Sequence, residues 1–270
     1  MAVPGIIIQA RIWAERFPGK VLADLGGETV LQHVVRRCKM VGGPVIVATP
    51  DAALLPLARE YGAEVFMGDE QDVLKRYIDC AKSFGITHVI RVTADCPFLD
   101  PWLIWQWQDE LEGKTFHYAS NVIHRTYPYG LDMEFIPLEI LELIHPMATK
   151  KQREHVTLYI RENLSQFDSM SLCNPYGKYT HMDWRLDYKE DLTYLRALYI
   201  SGGNTIMPWE DMVKLHSYAE HLRAFAVDGH SPGRTPETDG GHAAKSADTP
   251  DDGAGPAWHE RRYSEPPSSS

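Results

Sequence analysis

Four short apolar runs alternate with amphipathic segments over the N-terminal third of the chain. The runs are residues 6–8, 45–48, 63–66 and 88–92, and their β-branched character is typical of buried strands. Between the runs, apolar residues recur every three or four positions, as expected of helices that pack one face on a sheet. Strands that alternate with helices need right-handed crossovers, so the pattern predicts a mostly parallel sheet in an α/β fold.

Three cations follow the first predicted strand within one short loop. Arg11, Arg16 and Lys20 stand close together, and Pro18 and Gly19 precede the lysine. Ligands of open α/β sheets bind at the carboxyl ends of the strands, and a polyphosphate best matches several cations with backbone N–H groups. The alternative is a surface loop with three solvated cations. The sequence contains neither a P-loop nor a dinucleotide-binding glycine motif.

Two aspartates stand where predicted strands end. Asp95 follows the fourth apolar run, and Asp187 ends an alternating segment, residues 182–187, that is predicted to be a further strand. Capping of the next helix is the alternative role for both. After Asp95, the pair Asp100 and Pro101 makes a better helix start, whereas Asp187 could itself cap the helix that follows it. The sequence therefore predicts a metal- or phosphate-related role for Asp95.

The composition argues against several classes of protein. A formal charge of −10 over 270 residues disfavours nucleic-acid binding, which needs a basic surface. No apolar run approaches the ~20 residues that span a bilayer, and the N-terminus lacks the regions of a signal peptide. The four cysteines are scattered without a Cys-x-x-Cys pair, which indicates reduced thiols in a cytoplasmic protein and no zinc site.

The pattern changes in the second half of the chain. From residue 117, alternating segments around a loop rich in tyrosine and proline predict a small antiparallel insertion, a suitable place for substrate selection. Residues 150–161 are predicted to form one helix. From residue 228, large apolar residues become rare, and such a segment is expected to be disordered. We therefore predict one domain, residues 1–227, and a disordered polar tail, residues 228–270.

Six motifs of the chain, taken together, resemble the cytidylyltransferases of the spore coat polysaccharide biosynthesis protein F type. These are relatives of the acylneuraminate and 3-deoxy-manno-octulosonate cytidylyltransferases. The matching segments stand in the family's order: Ala-Arg-Ile-Trp-Ala-Glu-Arg-Phe-Pro-Gly-Lys at residues 10–20, Asp-Val-Leu-Lys-Arg-Tyr at 72–77, Ala-Asp-Cys-Pro at 94–97, Gly-Leu-Asp-Met-Glu at 130–134, Arg-Glu-His-Val-Thr-Leu-Tyr-Ile at 153–160 and Leu-Asp-Tyr-Lys-Glu-Asp-Leu at 186–192.

This resemblance implies a nucleotide-diphospho-sugar transferase domain, GT-A-like, with a doubly wound sheet. It implies an Mg²⁺-dependent enzyme that moves CMP from CTP onto a sugar acid or another small acceptor and releases pyrophosphate, for cell-surface polysaccharide or glycoconjugate biosynthesis. Relatives also suggest a homodimer through residues 117–160. The implied nucleotide-binding residues are Arg11, Arg16, Lys20, Asp72, Arg76 and Asp95, of which Lys20, Arg11 and Asp95 are also catalytic. The implied metal ligands are Asp95 and Asp187, and the implied acceptor-binding residues are Asn121, Asp132, Glu134, Arg153 and His155.

The cationic loop departs from the family motif at Trp13 and Ala14, where the family usually has small residues and a serine. Trp13 could stack on a base or acceptor and alter specificity. The same change could instead leave a weakened enzyme or a non-catalytic binding protein, although the retained Asp95 and Asp187 argue against the latter. A nucleotide-sugar-using glycosyltransferase is a further alternative, and the absence of a second aspartate after Cys96 counts against it.

Overall fold

Strands and helices alternate through the computed structural model, which describes residues 2–202 and 206–216. In chain order the strands are β1 (Pro4–Gln9), β2 (Asp24–Leu25), β3 (Glu28–Thr29), β4 (Val45–Thr49), β5 (Glu64–Met67), β6 (His88–Thr93), β7 (Tyr118–Ser120), β8 (Glu134–Pro137) and β9 (Ser169–Ser171). The helices are α1 (Val30–Val41), α2 (Leu54–Glu60), α3 (Val73–Ser83), α4 (Pro101–Leu111), α5 (Leu138–Ile144), α6 (Lys150–Glu154), α7 (Leu158–Glu162) and α8 (Lys189–Gly202). Residues 209–216 are helical again.

Among the described residues, seven strands form one sheet in the order β5-β4-β1-β6-β8-β7-β9. The central strand β1 pairs in parallel with β4 on one side and with β6 on the other. The chain adds β4 and β5 on one side of β1 and then crosses to β6 on the other side, which confirms a mostly parallel, doubly wound sheet. Because Gln9 pairs with Thr93, the loops after β1 and β6 leave the sheet side by side.

The predicted antiparallel insertion is continuous with the main sheet. β8 runs antiparallel to both β6 and β7, and β7 pairs in parallel with β9. A separate small antiparallel hairpin, formed by β2 and β3, follows the cationic loop. The antiparallel strands therefore extend the sheet, and β8 is the direct neighbour of the strand that leads to Asp95.

Separate apolar clusters cover the two faces of the sheet. Ile6 and Ile8 belong to the cluster that includes residues of α1 and α4, whereas Ile7 belongs to the cluster that includes residues of α3 and α5. All three isoleucine side chains are almost completely buried, and each contributes about 1.5–3 kcal/mol through that burial. Because both faces of β1 are covered, its sequence is a continuous apolar run.

Side chains cap the starts of α1 and α4, and the helix start predicted at Asp100 is confirmed. Thr29 Oγ1 accepts a hydrogen bond from Gln32 N (3.1 Å), and Asp100 Oδ1 accepts one from Trp102 N (2.8 Å). Side-chain acceptors at these positions satisfy backbone N–H groups that a helix leaves unpaired. Since Asp100 caps α4, Asp95 is not needed for that task.

The prediction of one helix over residues 150–161 is wrong. α6 ends at Glu154 and α7 begins at Leu158, and Val156 between them has a φ of +52°. A β-branched residue in the left-handed region is unfavourable and interrupts an α-helix. The side chain of Val156 is fully buried, so tertiary packing maintains this conformation and places His155 in a turn.

The prediction of a strand over residues 182–187 is also wrong. One isolated bridge joins this segment to Tyr129. The backbone N–H of Trp184 donates to Tyr129 O (2.9 Å), and that of Leu186 donates to Asp95 O (2.9 Å). Because these groups bond to loops, they are not available to a ladder of the sheet. The alternating pattern therefore belongs to a segment packed across the site.

The C-terminal prediction concerns residues of which the structure describes only a part. The predicted tail, residues 228–270, lies outside the described residues, and the prediction of disorder stays a prediction. Trp209 and Met212 are buried in the same apolar cluster as Ile6, so the packed domain continues at least to residue 212. In the described ranges, no helix combines the length and the apolar character needed to cross a membrane.

Candidate active site

Three segments meet at the carboxyl edge of the sheet. Ala94 N donates to Gln9 O (3.0 Å), which ties the loop after β6 to the end of β1. Leu186 N donates to Asp95 O (2.9 Å), which adds the segment before α8. The cationic loop, residues 10–20, leaves β1 at the same edge. Residues distant in sequence are thus brought to the edge where open α/β sheets bind ligands.

The ammonium group of Lys20 lies between the carboxylates of Asp95 and Asp187. Lys20 Nζ donates to Asp95 Oδ2 at 2.6 Å and to Asp187 Oδ1 at 3.1 Å. The three side chains are only 13%, 22% and 12% exposed, in that order. The structure therefore joins the predicted phosphate-binding lysine and both predicted metal ligands in one group, which we call the lysine–aspartate cluster.

Opposite charges determine the protonation states in the lysine–aspartate cluster. Burial by itself would lower the pKa of Lys20, but the carboxylates of Asp95 and Asp187 outweigh it and hold that pKa above its ordinary value. Burial would likewise raise the pKa of Asp95, whereas the ammonium group of Lys20 brings that pKa below its ordinary value. Lys20 and Asp95 are therefore both charged at neutral pH.

The start of α8 bears on the alternative role of Asp187 as a helix cap. Asp191 Oδ2 accepts hydrogen bonds from Asp187 N (2.9 Å) and from Tyr188 N (2.7 Å). The carboxylate of Asp191 thus serves as the acceptor at this helix start, while that of Asp187 faces Lys20. The side chain of Asp187 therefore lies at the predicted site, in contact with Lys20.

Backbone hydrogen bonds hold the cationic loop in place. Ile12 N donates to Asp51 Oδ2 (2.7 Å), and Gly19 N donates to Ile12 O (2.7 Å). Gly19 has a φ of +76°, which is a conformation that residues with a side chain rarely adopt. It directly precedes the 3₁₀ turn Lys20–Leu22, so the reversal at Gly19 returns the chain to the sheet edge.

The two arginines of the cationic loop contact different parts of the site. Arg16 Nη1 donates to Tyr188 Oη (3.2 Å), and Arg16 Nη2 lies 3.7 Å from Asp187 Oδ2. Arg11 is exposed, and its Nη1 lies 4.0 Å from Glu154 Oε1 at the end of α6. Arg16 therefore extends the lysine–aspartate cluster, whereas Arg11 lies on the side of α6.

The two residues that depart from the family motif have opposite environments. Trp13 is 71% exposed, whereas Ala14 is buried. The indole ring therefore displaces no core residue, and the loop keeps the hydrogen bonds of Ile12 and Gly19 described above. The small Ala14 fits its buried position without a hydroxyl group that would need a partner.

Asp72 connects α3 with the wall formed by α5 and α6. Asp72 Oδ1 accepts from Lys75 N (2.9 Å) and so caps α3. Asp72 Oδ2 lies 2.9 Å from His145 Nε2 and 3.5 Å from Arg153 Nη1. These residues border an open groove of about 710 Å³, which is lined by Asp69, Glu70, Gln71, Asp72, Ala148, Lys150 and Arg153. The structure thus places Asp72 in a groove wall and outside the lysine–aspartate cluster.

Arg76 lies beneath the loop that carries Asp69. Its side chain is almost completely buried, its Nη1 donates to Asp69 O (2.9 Å), and burial lowers its pKa below the ordinary value. In this arrangement the guanidinium group supports the backbone of the groove and is not exposed to a ligand. The side chain of Arg76 is thus enclosed, and its predicted part in nucleotide binding stays a prediction.

Two of the predicted acceptor-binding residues, Asn121 and Glu134, are buried, and their acceptor role stays a prediction. Asn121 is fully buried, its Nδ2 donates to Leu131 O (2.8 Å), and its Oδ1 accepts from Met133 N (3.1 Å). Glu134 is buried as well, and its carboxylate is ion-paired with Arg91. Both side chains are consumed by internal hydrogen bonds, so they shape the sheet edge without being accessible to an acceptor.

Three of the predicted acceptor residues remain accessible. Asp132 is one quarter exposed and accepts two hydrogen bonds from Arg125, at 2.5 and 2.8 Å. Arg153 is one third exposed in the groove, and His155 is exposed in the turn between α6 and α7. Asp132, Arg153 and His155 therefore remain candidates for acceptor binding.

A group around Tyr129 was not indicated by the sequence. The guanidinium carbons of Arg125 and Arg185 lie 3.9 and 4.5 Å from the ring centre of Tyr129. Arg185 also donates to Asp183 from Nε (3.0 Å) and from Nη2 (2.8 Å). The signal in the sequence was the Tyr- and Pro-rich loop alone, because Asp183 and Arg185 lie more than fifty positions after Tyr129. Arg185 of this group stands two positions before Asp187 in the sequence, and Arg125 of this group is the partner of Asp132.

The donor set of the lysine–aspartate cluster fits Mg²⁺ that arrives with a phosphate ligand. In the part of the chain that the structure describes, no three His, Cys, Asp or Glu side chains are grouped to hold a metal. Mg²⁺ is typically bound through one or two carboxylates together with substrate phosphates and water. The facing oxygens of Asp95 and Asp187 already hold one cation, the ammonium group of Lys20.

Comparison with known proteins finds relatives over most of the chain. A family model described as cytidylyltransferase matches residues 5–220. The spore coat polysaccharide biosynthesis protein SpsF of Bacillus subtilis is 30% identical over 217 residues, which cover 73% of this chain and 86% of that protein. The 3-deoxy-manno-octulosonate cytidylyltransferase of Pasteurella multocida is 30% identical over 156 residues, which cover 56% of each chain.

A solved structure agrees with the sequence relatives. The cytidylyltransferase of Leptospira borgpetersenii superposes with a TM-score of 0.78 at 25% identity, and the match covers 85% of this chain and 100% of that one. Lys20, Asp95 and Asp187 all lie within the residues that the family model matches. The chain therefore belongs to the cytidylyltransferase family.

Proposed function

We propose that this protein transfers CMP from CTP onto a small acceptor and releases pyrophosphate. Membership of the cytidylyltransferase family supports nucleotidyltransferase activity. The observation that supports the finer assignment most strongly is the position of Lys20 between Asp95 and Asp187 at the carboxyl edge of the sheet. That arrangement combines a lysine ammonium group with two carboxylates, which are the groups that a metal–triphosphate complex requires.

In this proposal the cationic loop holds the triphosphate. Lys20 and Arg16 lie within 4 Å of Asp187, and Arg11 follows directly after the end of β1. Phosphate oxygens accept strong, charge-assisted hydrogen bonds from such groups. The backbone bonds of Ile12 and Gly19 keep the loop in position, so little order has to be gained on binding.

The reaction itself needs positioning and charge stabilisation more than covalent chemistry. An acceptor oxygen attacks the α-phosphorus in line, its bond to phosphorus forms, and the bond from phosphorus to the pyrophosphate oxygen breaks. Lys20 stabilises the negative charge that develops on the phosphoryl oxygens and on pyrophosphate. Mg²⁺, when held by Asp95 and Asp187, supplies Lewis-acid stabilisation of the same charge. An anionic acceptor oxygen needs little help from a general base.

The acceptor proposed here is a sugar acid or another small molecule that binds near Asp132, Arg153 and His155. The names of the two sequence relatives concern 3-deoxy-manno-octulosonate and spore coat polysaccharide, which motivates a role in cell-surface polysaccharide or glycoconjugate biosynthesis. We also propose a cytoplasmic homodimer that associates through residues 117–160. Sedimentation velocity tests the dimer, and a monomer at micromolar concentration would refute it.

Nucleotide binding tests the proposal most directly. Calorimetry with Mg²⁺ should detect CTP binding in preference to ATP, GTP and UTP, and Asp95→Asn should abolish it without loss of the fold. Asp79→Asn is the matched control, because Asp79 is an exposed partner of Lys75 on α3. A screen of acceptors by pyrophosphate release then identifies the second substrate. Equal binding of CTP by the wild type and Asp95→Asn would refute the role of Asp95.

A further inference from the structure

We propose that Lys20 occupies the position of the divalent cation until the nucleotide arrives, so that metal and CTP bind cooperatively and the metal alone binds weakly. This inference rests on the function proposed above and adds the energetic coupling between its two ligands. It follows from three features of the lysine–aspartate cluster: which oxygens are occupied, how the charges balance, and how freely Lys20 can move.

The oxygens that face the site are the ones that Lys20 occupies. Lys20 Nζ is 2.6 Å from Asp95 Oδ2 and 3.1 Å from Asp187 Oδ1. The other oxygen of Asp95 accepts from Cys96 Sγ (3.6 Å), and the other oxygen of Asp187 lies 3.7 Å from Arg16 Nη2. A divalent cation held by Asp95 and Asp187 would compete with Lys20 for these carboxylates. Lys20 would therefore have to give up its place between them before such a cation could be held there.

Four side chains that lie within ion-pair distance of one another carry equal positive and negative charge without a metal. Two carboxylates, those of Asp95 and Asp187, face two cations, Lys20 and Arg16. A divalent cation that bound alone would leave two positive charges in excess within a partly buried site, where Coulomb interactions are strong. A triphosphate brings negative charge to the same place and gives the displaced Lys20 a new partner. Each ligand should therefore raise the affinity for the other by the same factor.

Lys20 can exchange partners without a change in the backbone. Its ammonium group is carried on four flexible carbons and has three donors that can rotate. The backbone around it is held by the left-handed Gly19 and by the bond from Gly19 N to Ile12 O. The exchange therefore requires only rotation of one side chain, from the carboxylates to the phosphates.

Binding of Mn²⁺, followed by electron paramagnetic resonance on the full chain, tests the inference without a readout of activity. The wild type should bind Mn²⁺ about tenfold or more tightly with CTP than without it. Lys20→Met should bind Mn²⁺ alone about tenfold or more tightly than the wild type does, because the competing cation is gone. Lys82→Met is the matched control, since it removes an equally charged but exposed side chain on α3, and it should behave as the wild type.

Lys20→Gln provides a second variant, because it keeps hydrogen-bond donors and removes only the charge. If Lys20→Met proves poorly folded, Lys20→Gln should still bind Mn²⁺ alone more tightly than the wild type. Unchanged or weaker binding of Mn²⁺ in a folded Lys20 variant refutes the inference, as does equal binding by the wild type with and without CTP. Asp95→Asn then separates the two proposals. If it loses Mn²⁺ in the presence of CTP, the metal site stands and only the coupling is wrong; if it keeps Mn²⁺, the metal site is wrong as well.

Discussion

Replacement of Gly130 by alanine should separate the two segments that hold Asp187 at the site. Gly130 has a φ of +97°, and a Cβ added there would lie 2.9 Å from Trp184 C and 3.1 Å from Trp184 O. Both are backbone atoms, which cannot rotate away as a flexible side chain would. The neighbouring Tyr129 exchanges backbone hydrogen bonds with the same segment, so the strain should move the chain that leads to Asp187.

The structure sets the size of the expected effect. A side chain at a left-handed position costs roughly 1–2 kcal/mol, and overpacking against an immobile neighbour costs about 1–3 kcal/mol more. Gly130→Ala should therefore lower the free energy of unfolding by about 2–5 kcal/mol. In a domain of this size each 1 kcal/mol lowers Tm by about 2–4 °C, so the Tm should fall by at least about 4 °C.

Gly113→Ala is the matched control, because it separates the two costs. Gly113 has a φ of +71°, but an added Cβ would have no atom within 4 Å. It should lose only the conformational part, roughly 1–2 kcal/mol. Urea denaturation of both variants measures the difference, and calorimetry should show weaker CTP binding for Gly130→Ala alone. Equal destabilisation of the two variants would show that the close contact with Trp184 does not limit the fold.

Three further predictions concern other parts of the molecule. Burial raises the pKa of Asp100 to about 6, so the wild type loses stability as the pH rises from the ordinary pKa of an aspartate through 6. The Tm of Asp100→Asn, taken relative to that of the wild type, should therefore be higher at about pH 7.5 than at about pH 4.5. An equal difference in Tm at the two pH values would contradict this. Arg91→Met should lower the free energy of unfolding by about 3–5 kcal/mol in urea denaturation, because it leaves the buried Glu134 without the cation with which it is paired. Adding Glu134→Gln should recover part of the loss, and no recovery would argue against the ion pair between Arg91 and Glu134. Trp13→Ala should change the free energy of unfolding by less than about 0.5 kcal/mol, since Trp13 is 71% exposed. It should weaken the binding of CTP or of the acceptor if the indole ring stacks on either, and unchanged affinity for both would show that Trp13 is not part of the site.

The sequence was informative where a functional residue follows directly after a strand. Asp95 stands two positions after β6, and Lys20 belongs to the loop that leaves β1, so their approach to one sheet edge could be predicted. For Asp187 the sequence left two roles open. The contact that favours the site role reaches across 167 positions to Lys20, and no local pattern encodes a contact of that length.

The sequence could not distinguish accessible polar residues from buried ones around the acceptor side. Asn121 and Glu134 stand in or near family motifs beside Asp132, yet they are buried and bonded to Leu131, Met133 and Arg91. Polar character predicts exposure on average, but a buried polar group is stable once its hydrogen bonds are satisfied. Only the positions of the partners reveal which of the two applies.

By itself the sequence determined the alternation of strands and helices in the N-terminal third of the chain, the helix cap at Asp100, and the sheet edge to which Arg11, Lys20 and Asp95 lead, because apolar periodicity and capping act over a few residues. Tertiary structure alone decided the break at Val156, where packing of a buried side chain outweighs the helical preference of its neighbours. It also decided that Lys20 bridges Asp95 and Asp187, since ion pairs between distant segments form only after the sheet has brought those segments together.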